Sequence, residues 1–339
     1  MGDVTILGPH PLLSVTIERH PDGADEIHLH PAGQGVWVAR MAAALGARPV
    51  LCGYLGGETG AILGPLIDAL PCERRTIASA TDSGSYVYDR RSGERDPIAH
   101  ALSPPPGRHE IDDLVAATVA SALQTRLLVL CNPYPGDALG PEVYERIAAD
   151  AHAHGVRVLA DLSSPRLDGA LRGGVDLVKI NDWELAGFVT GPVGEDDELA
   201  AAVGRIREHG VETVVITRGE LPAAVFCGDE QWSLTAPSFA HGFREGCGAS
   251  MMGATAATLA RGGDWREALT IGAAAGAVNF LHRGLGTGDA DAIRELASSS
   301  LNNPPVNGMG LETRRALVAG IAQAQADESI SKTERITDP

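Results

Sequence analysis

The sequence predicts an α/β fold: a mainly parallel, doubly wound sheet with helices on both faces, and a small β-sheet lid. Three observations carry that prediction. Short apolar runs alternate with helix-length segments through much of the chain, the rhythm of βαβ units with right-handed crossovers. One run, Leu127-Leu128-Val129-Leu130, is apolar without a break, as in a strand covered on both faces. Two pairs of short alternating segments, one before Gly33 and one between Ser85 and Ala101, fall outside this rhythm and suit a half-exposed sheet over a cleft.

Val4-Thr5-Ile6-Leu7 is the first strand, ending at Gly8. Val15-Thr16-Ile17 and Glu26 to His30 follow as lid strands, with His28 and His30 on one face. No third ligand stands near that pair, so they read as solvated strand histidines rather than a metal site. Gly33-Gln34-Gly35 opens a helix, Val36 to Leu45, and Val50-Leu51-Cys52 is a strand running into a glycine-rich loop, Gly53 to Gly60. Ser85 to Tyr88 and Pro97 to Ala101 are the second lid pair. Helices are then expected at Ile111 to Leu123, Pro141 to His154 and Asp197 to His209. Strands are expected at Val156 to Ala160, Leu177 to Lys179 and Thr213 to Thr217. The main domain is expected to span 1–296. An extension follows at 297–339, holding one amphipathic segment, Glu312 to Gln325, and a polar, disordered end.

Composition narrows the function. A formal charge of −17 argues against nucleic-acid or anionic-membrane partners. Five scattered cysteines without a CxxC pair read as reduced thiols in a cytoplasmic protein. No apolar stretch reaches membrane-spanning length and no secretory pattern is seen.

The chemistry concentrates at Arg244-Glu245-Gly246-Cys247-Gly248-Ala249-Ser250-Met251. Closely spaced glycines lead into a helix of small apolar residues. Such a helix start presents free backbone N–H groups at the positive end of the dipole, a cradle for phosphate or a developing oxyanion.

This run resembles the Gly-Ala-Gly-Asp signature of the ribokinase/PfkB sugar kinases. Further stretches resemble the phosphofructokinase-like branch in the same order. They are His10-Pro11-Leu12-Leu13-Ser14, Ala32-Gly33-Gln34-Gly35-Val36-Trp37-Val38-Ala39-Arg40, Asn132-Pro133-Tyr134-Pro135-Gly136, Asp161-Leu162-Ser163-Ser164 and Lys179-Ile180-Asn181-Asp182-Trp183-Glu184-Leu185. The resemblance implies a ribokinase-like αβα sandwich with a β-sheet lid. It implies ATP bound at the strand ends near Lys179, Asn181, Thr217, Gly219, Gly246 and Gly248, with Asn279 near the adenine. Glu184 would organise Mg²⁺. Gly284 to Gly288 would close the nucleotide site. A sugar-like substrate would meet Ser14, Gly33, Gln34, Gly35, Trp37 and Arg40, and lid strands would pair two copies into a homodimer.

The departures have a pattern. Ala249 stands where the family keeps its catalytic aspartate, leaving Gly246, Cys247 and Gly248 as an anion hole without a general base. Losing such a base costs about 10²–10⁴-fold in rate while sparing nucleotide binding. Glu245 could be recruited, but its arm starts on the wrong side of the turn. Ser14, Gln34 and Trp37 replace an aspartate, a lysine and an asparagine on the sugar side. With no arginine near Ser83 to Ser85, the site reads as poor in cations and badly suited to a phosphorylated hexose. Trp37 offers a stacking face for a ring, or packs in the core.

The expectation is a kinase acting on a neutral sugar, glycoside or nucleoside. A non-catalytic nucleotide- or sugar-binding homologue stays open, as does a phosphofructokinase. Ala249 fits either a natural loss or an introduced substitution.

Overall fold

The computed structural model describes residues 2–134, 138–188, 196–219, 221–236, 239, 241–282 and 284–301. Side chains are described outside 186–188, 196–200 and 299–301. Pro135, Gly136 and the segment Glu312 to Gln325 lie outside the described residues.

A nine-stranded sheet forms the centre. Its strands are β1 (Val4–Leu7), β4 (Pro49–Gly56), β5 (Glu73–Ser79), β8 (Leu127–Cys131), β9 (Arg157–Asp161), β10 (Leu177–Asn181), β11 (Thr213–Arg218), β12 (Leu221–Cys227) and β13 (Glu230–Leu234). The order is β13-β12-β11-β10-β9-β8-β1-β4-β5, parallel except where β12 joins β11 and β13 joins β12. A second sheet, the lid, runs β3 (Asp25–Ala32), β2 (Leu12–Arg19), β6 (Ser85–Asp89) and β7 (Asp96–Ala101).

Alternation along each strand divides the core in two. Leu128, Leu130, Val158, Ala160, Val178 and Ile180 pack with α3 (Arg108–Thr125), α4 (Pro141–Ala153), α5 (Arg166–Gly173) and α6 (Asp196–Arg207). Leu127, Val129, Cys131, Leu159 and Leu177 face the other way. There they meet α1 (Gln34–Ala44), α7 (Cys247–Ala260) and α8 (Trp265–Leu281), flanked by α2 (Gly57–Asp68) and α9 (Ala290–Leu301). Small residues let these helices approach closely. A Cβ on Gly253 of α7 would stand 2.4 Å from the Val38 carbonyl of α1.

The expected elements are present with small shifts at their ends. The loop expected at Gly53 to Gly60 is not one. β4 continues to Gly56 and α2 starts at Gly57, whose φ of 63° makes the turn in a single residue. The position expected to divide domain from extension, 296/297, falls inside α9. Strands β5, β12 and β13 were not expected. β5 and β13 are the two edges of the sheet, where charged residues such as Glu73, Arg74 and Arg75 are tolerated and the apolar signal is weak, and β12 lies between β13 and β11.

Candidate active site

Gly246 caps α7 in the left-handed region, at φ 77° and ψ −10°. That conformation favours glycine, and it aims the first turn of α7 over the C-terminal ends of the central strands. First-turn amides of a helix have no intrahelical acceptor, so those of Gly248 and Ala249 are available to an anion. A Cβ on Gly248 would come within 2.7 Å of Lys179 Nζ. Backbone N–H groups and one ammonium therefore converge. Ala249, only 5% exposed, adds a methyl group and no acid–base function.

The sheet register sets the groups beneath. Cys131, Asp161 and Lys179 are paired neighbours on β8, β9 and β10, and Asn181 pairs with Thr217. Lys179 Nζ donates to Asp161 Oδ1 at 3.0 Å, with both side chains more than nine-tenths buried. Thr217 Oγ1 donates to Asn181 Oδ1 at 2.6 Å. The Asn181 backbone N–H and Nδ2 both donate to Glu184 Oε2, at 3.0 and 2.9 Å. Burial raises the Glu184 carboxyl above its usual range, opposed by those bonds and by Lys179. The Asn181 bonds hold one Glu184 oxygen and leave Oε1 outside the pair, a donor set that suits a hydrated Mg²⁺.

Beside α7 lies a cleft of about 270 Å³, walled by the start of α1, the loop after β1, the lid and Asn132 to Tyr134. Gly33, Gln34, Gly35 and Trp37 line it. Gln34, however, is tied to the backbone: its Nε2 donates to the Asp161 carbonyl at 3.2 Å and its Oε1 accepts from Asn132 N–H at 2.8 Å. Where a lysine would reach for substrate, this glutamine braces β8 against β9. Trp37 both lines the cleft and packs against the core.

The cleft also holds residues that sequence reasoning did not single out. His10 and Tyr86 are over nine-tenths buried, and His10 Nδ1 and the Tyr86 hydroxyl have no hydrogen-bond partner. Burial pushes the His10 pKa down to about 4, so its imidazole is neutral near neutral pH. Arg95, just before β7, reaches in with its guanidinium 3.9 Å from the Tyr88 ring centroid and ion-pairs with Glu245. The expected lack of cations is thus corrected: the cation enters from the lid hairpin, beyond the segment where it was sought. Glu245 is occupied by this pair. Arg90 of the same hairpin stacks over Phe243, 4.6 Å to the centroid, so the lid rests on the loop that leads into α7.

Other expected residues stand elsewhere. Ser14 is buried on β2 between its strand partners His30 and Tyr86, and Arg40 lies half-buried near His30; neither lines the cleft. Asn279 is a strut. Its Nδ2 donates to the Glu245 carbonyl at 2.9 Å and its Oδ1 accepts from Gly286 N–H at 2.8 Å. The side chain is fully buried and engaged with backbone. Gly286 packs on the Trp37 backbone, so this turn supports the cleft wall. Gly219, at φ 60°, turns the chain after β11 near Arg244. His28 and His30 stack with ring centroids 5.9 Å apart, and no group of three metal-ligating side chains occurs among the described residues.

A lidded αβα sandwich with a glycine-capped helix over its strand ends is the architecture of the ribokinase-like sugar kinases. The pfkB family carbohydrate kinase pattern matches residues 15–292, and the chain belongs to that family. It is 27% identical over 280 residues to ATP-dependent 6-phosphofructokinase isozyme 2 of Escherichia coli, covering 80% of this chain and 89% of that protein. It is 25% identical over 204 residues to 1-phosphofructokinase of Haemophilus influenzae, covering 58% of this chain and 62% of that protein. Among solved structures, phosphofructokinase-2 of Escherichia coli in complex with potassium superposes with a TM-score of 0.77 at 23% identity, over 89% of this chain and 100% of that one. Ribokinase of Arabidopsis thaliana, complexed with ribose and ATP, gives 0.67 at 17%, over 87% and 98%. These structural likenesses establish the fold.

Proposed function

We propose that the protein phosphorylates a hydroxyl of an uncharged sugar, glycoside or nucleoside, using ATP with Mg²⁺. The observation that carries this reading is the charge balance of the cleft. Among the described residues its one lining arginine, Arg95, is already paired with Glu245, while its unpartnered polar groups, on His10 and Tyr86, are neutral. A phosphorylated acceptor would have to break that pair. An uncharged one would hydrogen-bond to His10 and Tyr86 and lie against Trp37 and Tyr88.

The amides at the start of α7 and the Lys179 ammonium would hold phosphate oxygens, and Glu184, braced by Asn181, would hold Mg²⁺ or its waters. Bound Mg²⁺·ATP supplies the phosphoryl group and much of the charge neutralisation. The lid, resting on Phe243 and Glu245, keeps bulk water from the acceptor. Five free cysteines and the net charge of −17 support a cytoplasmic location. No helix among the described residues is long and apolar enough to cross a membrane. The outer lid face exposes Ile27, Leu29 and Ile98, a surface on which a second copy would form a homodimer.

A second reading, phosphofructokinase-type activity, is favoured by the presence of Arg95 in the cleft and by the relatives matched. Calorimetry separates the two. With Mg²⁺·ATP bound, the proposal expects heat from neutral sugars or nucleosides and none from fructose 6-phosphate or fructose 1-phosphate. Tighter binding of a fructose phosphate overturns the neutral-acceptor reading. No nucleotide binding at all overturns the kinase reading.

A further inference from the structure

We infer that Asp161 takes the role left empty at Ala249 and accepts the proton of the attacking hydroxyl. The inference rests on the kinase reading above. Strand alternation puts Asp161 on the face that α7 covers, in line with Cys131 and Lys179. Its backbone carbonyl is bonded to Gln34, which lines the acceptor cleft. Its Oδ1 is bonded to Lys179, whose ammonium stands under Gly248, the residue before Ala249. Asp161 is thus joined through its backbone carbonyl to a residue of the acceptor cleft, and through its carboxylate to the ammonium under the anion hole.

The second oxygen decides the matter. Asp161 Oδ2 is buried and has no hydrogen-bond partner. Of the other carboxylates, Glu245 is paired with Arg95, and Glu184, held by Asn181 through one oxygen, would keep its other oxygen for Mg²⁺. A buried, unpaired carboxylate oxygen is costly to keep unless something completes it, and an acceptor hydroxyl would do so. In the step itself the acceptor oxygen forms a bond to the γ-phosphorus. The bond from that phosphorus to the β–γ bridging oxygen breaks, its electron pair leaving with ADP, and the hydroxyl proton passes to Asp161 Oδ2. No electrons are gained or lost.

The test uses four full-length chains: the native protein, D161N, A249D and the double variant D161N/A249D. ADP release is followed with Mg²⁺·ATP and D-fructose, D-ribose, adenosine or fructose 6-phosphate, and ATP binding by calorimetry. The native chain is expected to turn over at least one acceptor. D161N should lose about 10²-fold or more of that rate, with ATP affinity changed less than about threefold. In the A249D background the same substitution should cost less than about tenfold, because the aspartate at 249 has taken over. Asp161→Glu keeps a carboxylate and should retain activity that D161N loses. Turnover by the double variant also shows that D161N folds. If D161N does not fold, Asp161→Glu and Asp161→Ser are compared instead, with activity again expected only where the carboxylate remains.

Equal losses in both backgrounds, or weakened ATP binding that accounts for the loss, would make Asp161 a positioning residue for Lys179 and overturn the inference. A silent native chain beside an active A249D also overturns it, leaving the kinase reading intact. If all four are silent, the kinase reading falls as well.

Discussion

Arg95 at the tip of the lid hairpin is ion-paired with Glu245, one residue before the glycine that caps α7. The pair ties the lid to the anion hole and cancels the only arginine that lines the cleft among the described residues. Glu245→Gln keeps the shape and frees the charge. Fructose 6-phosphate, measured by calorimetry, should then bind at least about fivefold more tightly than to the native chain, in line with a new charge-assisted hydrogen bond. Neutral acceptors should change little. An unchanged fructose 6-phosphate signal would show that Arg95 is not what excludes it.

Lys179 and Asp161 form a buried ion pair, so removing one partner strands the other. Lys179→Met should destabilise the fold by about 3–5 kcal/mol in urea unfolding. Adding Asp161→Asn should recover part of that loss, since no unpaired charge remains. Additive losses would mean that the two side chains do not act as a pair.

His10 gives stability a pH dependence. Its pKa is about 4 in the fold against 6.5 unfolded, so between these values the unfolded chain binds more protons. Stability attributable to His10 is therefore complete above about pH 6.5 and is lost as pH falls towards 4. The total is roughly 3 kcal/mol at about 1.36 kcal/mol per pKa unit. His10→Gln should flatten this part of the stability profile. The same slope in both proteins would assign it to other groups.

On the outer lid face, Ile27 and Leu29 alternate along β3, paired with Ile17 and Val15 of β2, and their exposure is what a lid-to-lid homodimer would cover. The double substitution Ile27→Asp and Leu29→Asp should shift sedimentation equilibrium from dimer to monomer at micromolar concentration. A native chain that is already monomeric contradicts the dimer.

Much of this was legible in the sequence. Leu127 to Leu130 and the segments after it are central strands, whose uninterrupted apolar runs admit little else. The glycines at 246 and 248 announce the helix start over the strand ends, because only that geometry uses both. Strands β5 and β13 were hidden because edge strands tolerate charge and need no long apolar run. Long-range contacts hid the site residues. Nothing local distinguishes Arg95 from its neighbours Arg90 and Arg91, and only the lid's docking brings it to Glu245. Gln34 and Asn279 look like ligand-binding amides by position; their backbone partners at Asn132, Asp161, Glu245 and Gly286 are visible only once the chain is folded.

A kinase site with Ala249 in place of the family's base should still transfer phosphate, and faster once that base is restored. The most direct measurement is the rate of phosphorylated-product formation, read by mass spectrometry, for the native chain beside Ala249→Asp with Mg²⁺·ATP and the same acceptors. A neutral acceptor should give a product, at a rate at least about tenfold higher with the restored aspartate. No product from either chain, with ATP still bound, would contradict it and leave a nucleotide-binding protein that performs no transfer.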